Sequence, residues 1–259
     1  MAVLSVENVT VAFGGVKAVS DVSLKVDAAE IVGLIGPNGA GKTTLLNAIC
    51  GMAPPQAGRI CLLDRDVTGA KASTIAGLGL GRTFQASQLF AGMTVLENMM
   101  AGLHLQTRAG LLPILFRARS MREEEEACLE RARKALEFVG MERFADRPGS
   151  ALSFGQQRII EIARTLLRDP KVVLLDEPAV GLSVTRVAEL DRLLRRIRDE
   201  RGVALVLIEH VIRLVMGVCD RVVVLSSGRK IADAAPDAVR ADPAVIEAYL
   251  GKSVHAAGA

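Results

Sequence analysis

The apolar run Ile31-Val32-Gly33-Leu34-Ile35 passes directly into Gly36-Pro37-Asn38-Gly39-Ala40-Gly41-Lys42-Thr43-Thr44. That order leaves few folds open: a buried strand, a loop of small residues, then the start of a helix. Triphosphate oxygens need many donors at once, and such a loop turns its backbone N–H groups inward to supply them. Glycine serves because these loops demand backbone angles that other residues adopt only with strain. Asn38, Gly39, Ala40 and Gly41 form the cradle, and the helix opening at Lys42, Thr43 and Thr44 adds its positive end. Lys42 is expected to reach the β- and γ-phosphates, and Thr43 to offer its hydroxyl to Mg²⁺. A glycine-rich turn that binds nothing does not require the full G-x-x-x-x-G-K-T spacing between strand and helix. The chain is therefore expected to bind a nucleoside triphosphate.

A second strand supplies what such a loop needs. Val172-Val173-Leu174-Leu175-Asp176-Glu177-Pro178 reads as a fully buried parallel strand ending in two acids. Mg²⁺ keeps several waters and takes carboxylates to complete its octahedral shell, a role that fits Asp176. Strand alternation turns Glu177 to the opposite side, where it would orient or deprotonate an attacking water. Pro178 cannot extend a ladder, so the acids stand at the strand's mouth. Taken alone, such a pair would only cap a helix or aid solubility.

Between the two strands, Leu152-Ser153-Phe154-Gly155-Gln156-Gln157 precedes Arg158-Ile159-Ile160-Glu161-Ile162-Ala163-Arg164. Locally this is an amphipathic helix with Ser153 as N-cap. The segment also resembles the signature motif of ATP-binding cassette (ABC) ATPases, at about the position that family has it. The resemblance implies a head-to-tail dimer in which Ser153, Gly155 and Gln156 of one cassette close over the γ-phosphate held by its partner. A serine-capped helix N-terminus is compatible with anion binding.

Further landmarks of the resemblance follow. Gln85 in Gly81-Arg82-Thr83-Phe84-Gln85 matches the glutamine that touches Mg²⁺ or water and senses the γ-phosphate. His210, closing Val203-Ala204-Leu205-Val206-Leu207-Ile208-Glu209-His210, matches the switch histidine that positions the water with Glu177. Phe13 matches the aromatic that stacks on adenine; a core residue of an edge strand is the alternative. Where the family commonly places an aspartate after Glu177-Pro178, this chain has Ala179-Val180-Gly181-Leu182-Ser183. That departure bears on communication between the two sites rather than on ATP binding.

Composition restricts the reading. The 259 residues carry a formal net charge of +3, with no tryptophan and one tyrosine, which argues against a nucleic-acid footprint or a stacking platform. Cys50, Cys61, Cys128 and Cys219 lie far apart and read as buried thiols of a reducing compartment. No secretory signal and no span long enough to cross a bilayer is evident.

The expected fold class is α/β: a P-loop NTPase core, mainly a parallel sheet with helices on both faces, plus an antiparallel β subdomain and an inserted helical lobe. One ABC ATPase domain spans 1–259, with the core and β subdomain at about 1–85 and 165–235. The lobe covers about 86–164 and a short helical tail about 236–259. Residues 3–13 and 16–26 are expected to pair across Gly14-Gly15, and Thr94 to cap Val95-Leu96-Glu97-Asn98. An apolar and basic insertion occupies 110–121. Next comes a helix from about Arg122 to Phe138, whose Glu123–Glu126 run sits near its start, where the dipole favours negative charge. In the family this lobe docks on the membrane partner. Leu89, Phe90 and Met93 are candidates for that contact; most apolar residues there are expected to fill the lobe's own core, with Phe90 and Met93 partly exposed.

The stretch from Gly81 to Phe90, Met93-Thr94-Val95-Leu96-Glu97-Asn98, Ile208-Glu209-His210 and the ending Ala248-Tyr249-Leu250-Gly251 resemble the larger ATP-binding subunit of branched-chain amino acid uptake systems. The resemblance implies a peripheral subunit on the cytoplasmic side of the inner membrane, with ATP and Mg²⁺ as cofactors. Its partners would be a second ABC ATPase subunit (identical or a paralogue), integral membrane permeases and, indirectly, an extracytoplasmic solute-binding protein. Related cassettes serve amide or urea import and lipopolysaccharide export. A soluble ABC ATPase is the alternative from another class, but the chain has one cassette, no sustained heptads and no cysteine cluster.

Overall fold

A computed structural model describes residues 1–84, 89–103 and 119–250. In chain order its strands are β1 (Ala2–Phe13), β2 (Val16–Asp27), β3 (Ile31–Ile35), β4 (Ala57–Leu62), β5 (Arg65–Asp66), β6 (Leu80–Arg82), β7 (Val172–Asp176), β8 (Ala204–Ile208), β9 (Arg221–Ser226) and β10 (Arg229–Ala234). The helices are α1 (Lys42–Ile49), α2 (Ala72–Gly77), α3 (Val95–Ala101), α4 (Arg119–Phe138), α5 (Phe154–Leu166), α6 (Val184–Arg201), α7 (Ile212–Val218), α8 (Pro236–Ala241) and α9 (Pro243–Leu250). Two compact units result: Met1–Arg82 with Lys171–Ala259, and Thr83–Pro170.

The first unit holds two sheets. An antiparallel one runs β2-β1-β4-β5, and a second runs β10-β9-β3-β8-β7-β6 with β10 alone antiparallel to its neighbour. β1 and β2 pair across Gly14 and Gly15, both at positive φ, as the hairpin signal predicts. Within β1 the buried residues change parity, from Leu4 and Val6 to Val9 and Val11. The change falls at Asn8, which has φ 50° and interrupts the register between Val6 and Val9. A bulge is the device that lets one face stay apolar through such a shift. Asp21, also at positive φ, does the same in β2, and Asn8 Nδ2 donates to Asp21 Oδ1 at 2.8 Å.

β3, β7 and β8 are each buried along all five residues. Continuous burial explains their unbroken apolar sequences, the mark of parallel strands covered on both faces. Leu34 of β3 and Asp176 of β7 both pair with Ile208 of β8. The three strands therefore end level, and the segments that follow them leave one edge of the sheet. Ligands of open α/β sheets bind at that carboxyl edge. α1 packs Leu45, Leu46, Ala48 and Ile49 into the core of this unit. Full burial of each leucine or isoleucine there is worth about 1.5–3 kcal/mol.

The C-terminal tail is helical, as expected. It divides into α8 and α9 because Pro243, at the start of α9, cannot continue a helix from Asp242.

The second unit packs α3, α4 and α5 around Val95, Met99, Ala132, Leu136, Phe144, Ile160 and Ala163. Thr94 forms a full capping box with Glu97, as its position predicts. Buried Asn98 braces the segment before α3: its Nδ2 donates to Phe90 O and Thr94 O, and its Oδ1 accepts from Phe90 N. The glutamate run requires a correction. α4 begins at Arg119, so Glu123–Glu126 lie beyond its first turn, where the dipole effect has faded. The 110–121 insertion lies outside the described residues up to residue 118. Among the described residues no helix is long and apolar enough to cross a membrane. The four cysteines are free; Cys50 and Cys219 are buried as expected, whereas Cys61 and Cys128 are only half-buried.

Candidate nucleotide-binding site

The loop after β3 has the backbone its glycines foretold. Gly36, Gly39 and Gly41 stand at φ 150°, 76° and 97°. A Cβ on Gly36 would lie 2.0 Å from Leu225 O and one on Gly41 2.3 Å from Ala18 O, so two positions admit no side chain. At Gly39 a Cβ would meet nothing within 4 Å, and there the requirement is conformational. α1 opens directly from Gly41, with Lys42, Thr43 and Thr44 in its first turn. Lys42 is buried, and its Nζ donates to Gly36 O at 2.8 Å and Pro37 O at 3.0 Å. Burial pushes its ammonium below the ordinary lysine range, while the charges of Glu177 and Asp176 pull it back. One ammonium beside two carboxylates leaves this edge net negative, so a polyphosphate bound here calls for a divalent cation as well.

Asp176 ends β7 and is itself buried, and Arg82 Nη2 at the end of β6 donates to its Oδ2 at 3.3 Å. Arg82 Nη1 also reaches Asn47 Oδ1 at 2.7 Å and Cys50 Sγ at 2.8 Å, tying the strand edge to the end of α1. Glu177 corrects the alternation argument. It stands beyond the last residue of β7 at φ 50°, so a left-handed turn aims its side chain, not the pleat. Its backbone N–H donates to Ile208 O at 2.9 Å. Glu177 Oε1 lies 2.9 Å from His210 Nε2. An ionised carboxylate can only accept, so the ring N–H donates. The acid and the histidine are thus brought together from two strand ends, 33 residues apart in the chain.

Glu209, the residue before the histidine, is almost fully buried beside this pair. Its Oε1 accepts from Ala179 N–H, and its Oε2 from His210 N–H at 3.0 Å and Val211 N–H at 3.3 Å. The one available signal was an acid between a five-residue apolar strand and a histidine. Arg82 likewise had no local signal beyond a charge at a strand end. Ser183 caps α6 by accepting from Arg186 N–H.

In the second unit, Ser153 caps α5 in a capping box with Gln156, and Gly155 lies in the helix's first turn. Arg158, one turn along, stacks on Phe154 at 4.9 Å and is buried. It donates to Phe84 O at 2.5 Å and to Glu161 Oε2 at 3.0 Å. The signature helix thereby holds the residue preceding Gln85. Gln85 itself lies outside the described residues. Phe13 is 57% exposed at the end of β1, so the core alternative falls away. Phe90 and Met93 are 54% and 41% exposed, while Leu89 packs on the unit's core.

The donor set suits Mg²⁺ with a nucleotide. Among the described residues no group of three or more His, Cys, Asp and Glu gathers to hold a metal. Mg²⁺ is commonly held by one or two carboxylates plus substrate phosphates rather than by an all-protein cage. Asp176 and the Thr43 hydroxyl have that chemistry, and Lys42 supplies the balancing charge.

A P-loop, an acidic strand end and a facing histidine at the carboxyl edge of a parallel sheet define a nucleotide-hydrolysing cassette. Comparison places it: the family model described as ABC transporter matches residues 19–180, and the chain belongs to that family of transporter ATPases. It is 42% identical over 250 residues to the high-affinity branched-chain amino acid transport ATP-binding protein LivG of Escherichia coli (strain K12), covering 96% of this chain and 98% of that protein. A second model, described as branched-chain amino acid ATP-binding cassette transporter, matches 229–255. Lipopolysaccharide export system ATP-binding protein LptB of the same organism is 35% identical over 97% of this chain and 98% of its own length. Among solved structures, the ADP conformation of the cassette MJ1267 superimposes with TM-score 0.85 at 33% identity, covering 97% of this chain and all of that one. The dimeric post-hydrolysis cassette MJ0796, bound to ADP and Pi, gives 0.75 at 26% identity over 90% and 98%.

Proposed function

We propose that this chain powers branched-chain amino acid import, binding ATP with Mg²⁺ and hydrolysing it between two facing cassettes. The observation that carries the chemistry is the Glu177–His210 pair, 2.9 Å apart at the strand edge that also bears Lys42 and Asp176. Support for the solute is the similarity to LivG over nearly the full length, together with the C-terminal match at 229–255.

In this reading Lys42 and the N–H groups of Asn38, Gly39, Ala40 and Gly41 bind the phosphates, and Thr44 adds to the helix end. Phe13 stacks on the base. Thr43 and Asp176 would hold Mg²⁺, which would supply positive charge against the phosphates, and Gln85 is the residue the family resemblance assigns to touching the ion or water. Glu177 takes the proton of the attacking water, and His210 orients Glu177 and touches the γ-phosphate. Ser153, Gly155 and Gln156 of the opposite cassette close the cage. Loss of the γ-phosphate removes contacts that hold the closed dimer, so the cassettes part; a ligand shifts an equilibrium only by its differential affinity. Permease subunits convert that cycle into alternating access, and Phe90 and Met93 are the exposed anchors for them. The chain is then peripheral, on the cytoplasmic side of the inner membrane, and a solute-binding protein delivers the amino acid from outside.

Transport tests this. Permeases co-purified with the tagged chain and reconstituted with the solute-binding protein should take up labelled leucine, isoleucine or valine only with ATP. Movement of urea, amides or lipopolysaccharide instead would reassign the solute.

A further inference from the structure

We infer that Glu209 is a positioning residue that locks the switch histidine to the segment leaving Glu177, through one carboxylate shared by three backbone N–H groups. This rests on the hydrolytic reading of Glu177 and His210 given above, and adds a third acid, buried beside that pair.

Four observations carry it. Glu209 is 1% exposed, a place where a carboxylate persists only if its oxygens are satisfied. Its two oxygens face different segments: Oε1 accepts from Ala179, two residues after Glu177, and Oε2 from His210 and Val211. Those segments follow β7 and β8, which are neighbours in the sheet, and Glu209 comes directly after β8. Glu177 N–H donates to Ile208 O, so backbone and side chain bond the same two segments at consecutive residues. The Glu177–His210 contact is therefore bracketed by Ile208 on one side and Glu209 on the other. The backbone of each partner is held by a bond from its N–H to a buried acceptor, which fixes where the two side chains start from.

The bond pattern calls for a group that only accepts. Burial pushes the Glu209 carboxyl above the ordinary glutamate range, while the N–H groups of Ala179, Val211 and His210 pull it back and the Glu177 charge pushes it further up. An amide keeps the shape but has one oxygen, so its NH₂ would face a backbone N–H, donor against donor. Through Ala179, Glu209 also ties the histidine to the run Ala179–Ser183 that leads into α6.

The test is steady-state ATP hydrolysis and direct ATP binding by Glu209→Gln in the intact chain, beside wild type. A positioning role predicts kcat reduced at least about tenfold, with KM and the Kd for ATP within threefold. A kcat within twofold of wild type in the folded variant overturns the inference, as does a loss that appears as weakened Kd with kcat retained. Should Glu209→Gln not fold, Glu209→Asp keeps the charge and the acceptor-only oxygens one methylene shorter, and is judged by the same two criteria. Failure of the wild-type chain to bind or hydrolyse ATP would count against the function proposed above, and is read separately before either variant.

Discussion

At the scale of single residues, burial decides which side chains can do chemistry. Cys219 lies against the Cα of Gly33, where a Cβ would come within 3.0 Å of its Sγ, and burial pushes its thiol up to about 12. A thiol reacts as the thiolate, so Cys219 should resist alkylation. With iodoacetamide at pH 8.5 and peptide mapping, Cys61 and Cys128 should label first and Cys219 remain unmodified in the folded chain. The linked stability has a definite sign: the folded state holds this proton more tightly, so the contribution is complete below the unfolded thiol's value near 9. It is lost as pH rises from there towards 12. Lys42, Asp176 and Asn38–Gly41 were legible because a phosphate cradle needs fixed residue types at fixed spacing. Glu209 and Arg82 were not. Their roles come from strands that meet only in the sheet, and an acid before a histidine carries no local signature of three N–H donors.

At the scale of elements, the capped helices were the most legible parts, since a cap is a local contest for orphan N–H groups. Thr94 and Ser153 both form capping boxes where their positions predicted caps. Replacing Thr94 by Ala should destabilise the folded chain by about 1 kcal/mol. Urea denaturation followed by circular dichroism would show it as a lower midpoint at unchanged slope, with ATPase activity in native buffer kept. An unchanged midpoint would mean that the box seen at α3 does not hold in solution. The bulges at Asn8 and Asp21 were harder to read, because a parity change in a strand looks like a break in amphipathic pattern until the partner strand is known. Glu177 fell outside strand logic altogether: a residue before a proline is ordinarily held extended, yet its backbone is left-handed.

At the scale of the whole molecule, the order of elements was the firmest inference. Strand, loop and helix at 31–49 and the apolar strands at 172–176 and 204–208 can bury both faces only in a parallel sheet with helices on either side. Level strand ends then place lysine, aspartate, glutamate and histidine along one edge without any further instruction. The solute leaves no trace in that geometry; it is read from similarity to LivG rather than from any pocket in the chain. The mechanism proposed above makes Glu177 the base. Single-turnover hydrolysis of ATP by Glu177→Gln measures this most directly. The rate should fall by about 100-fold or more while ATP stays bound and the two cassettes remain associated; hydrolysis within twofold of the wild-type rate would contradict it.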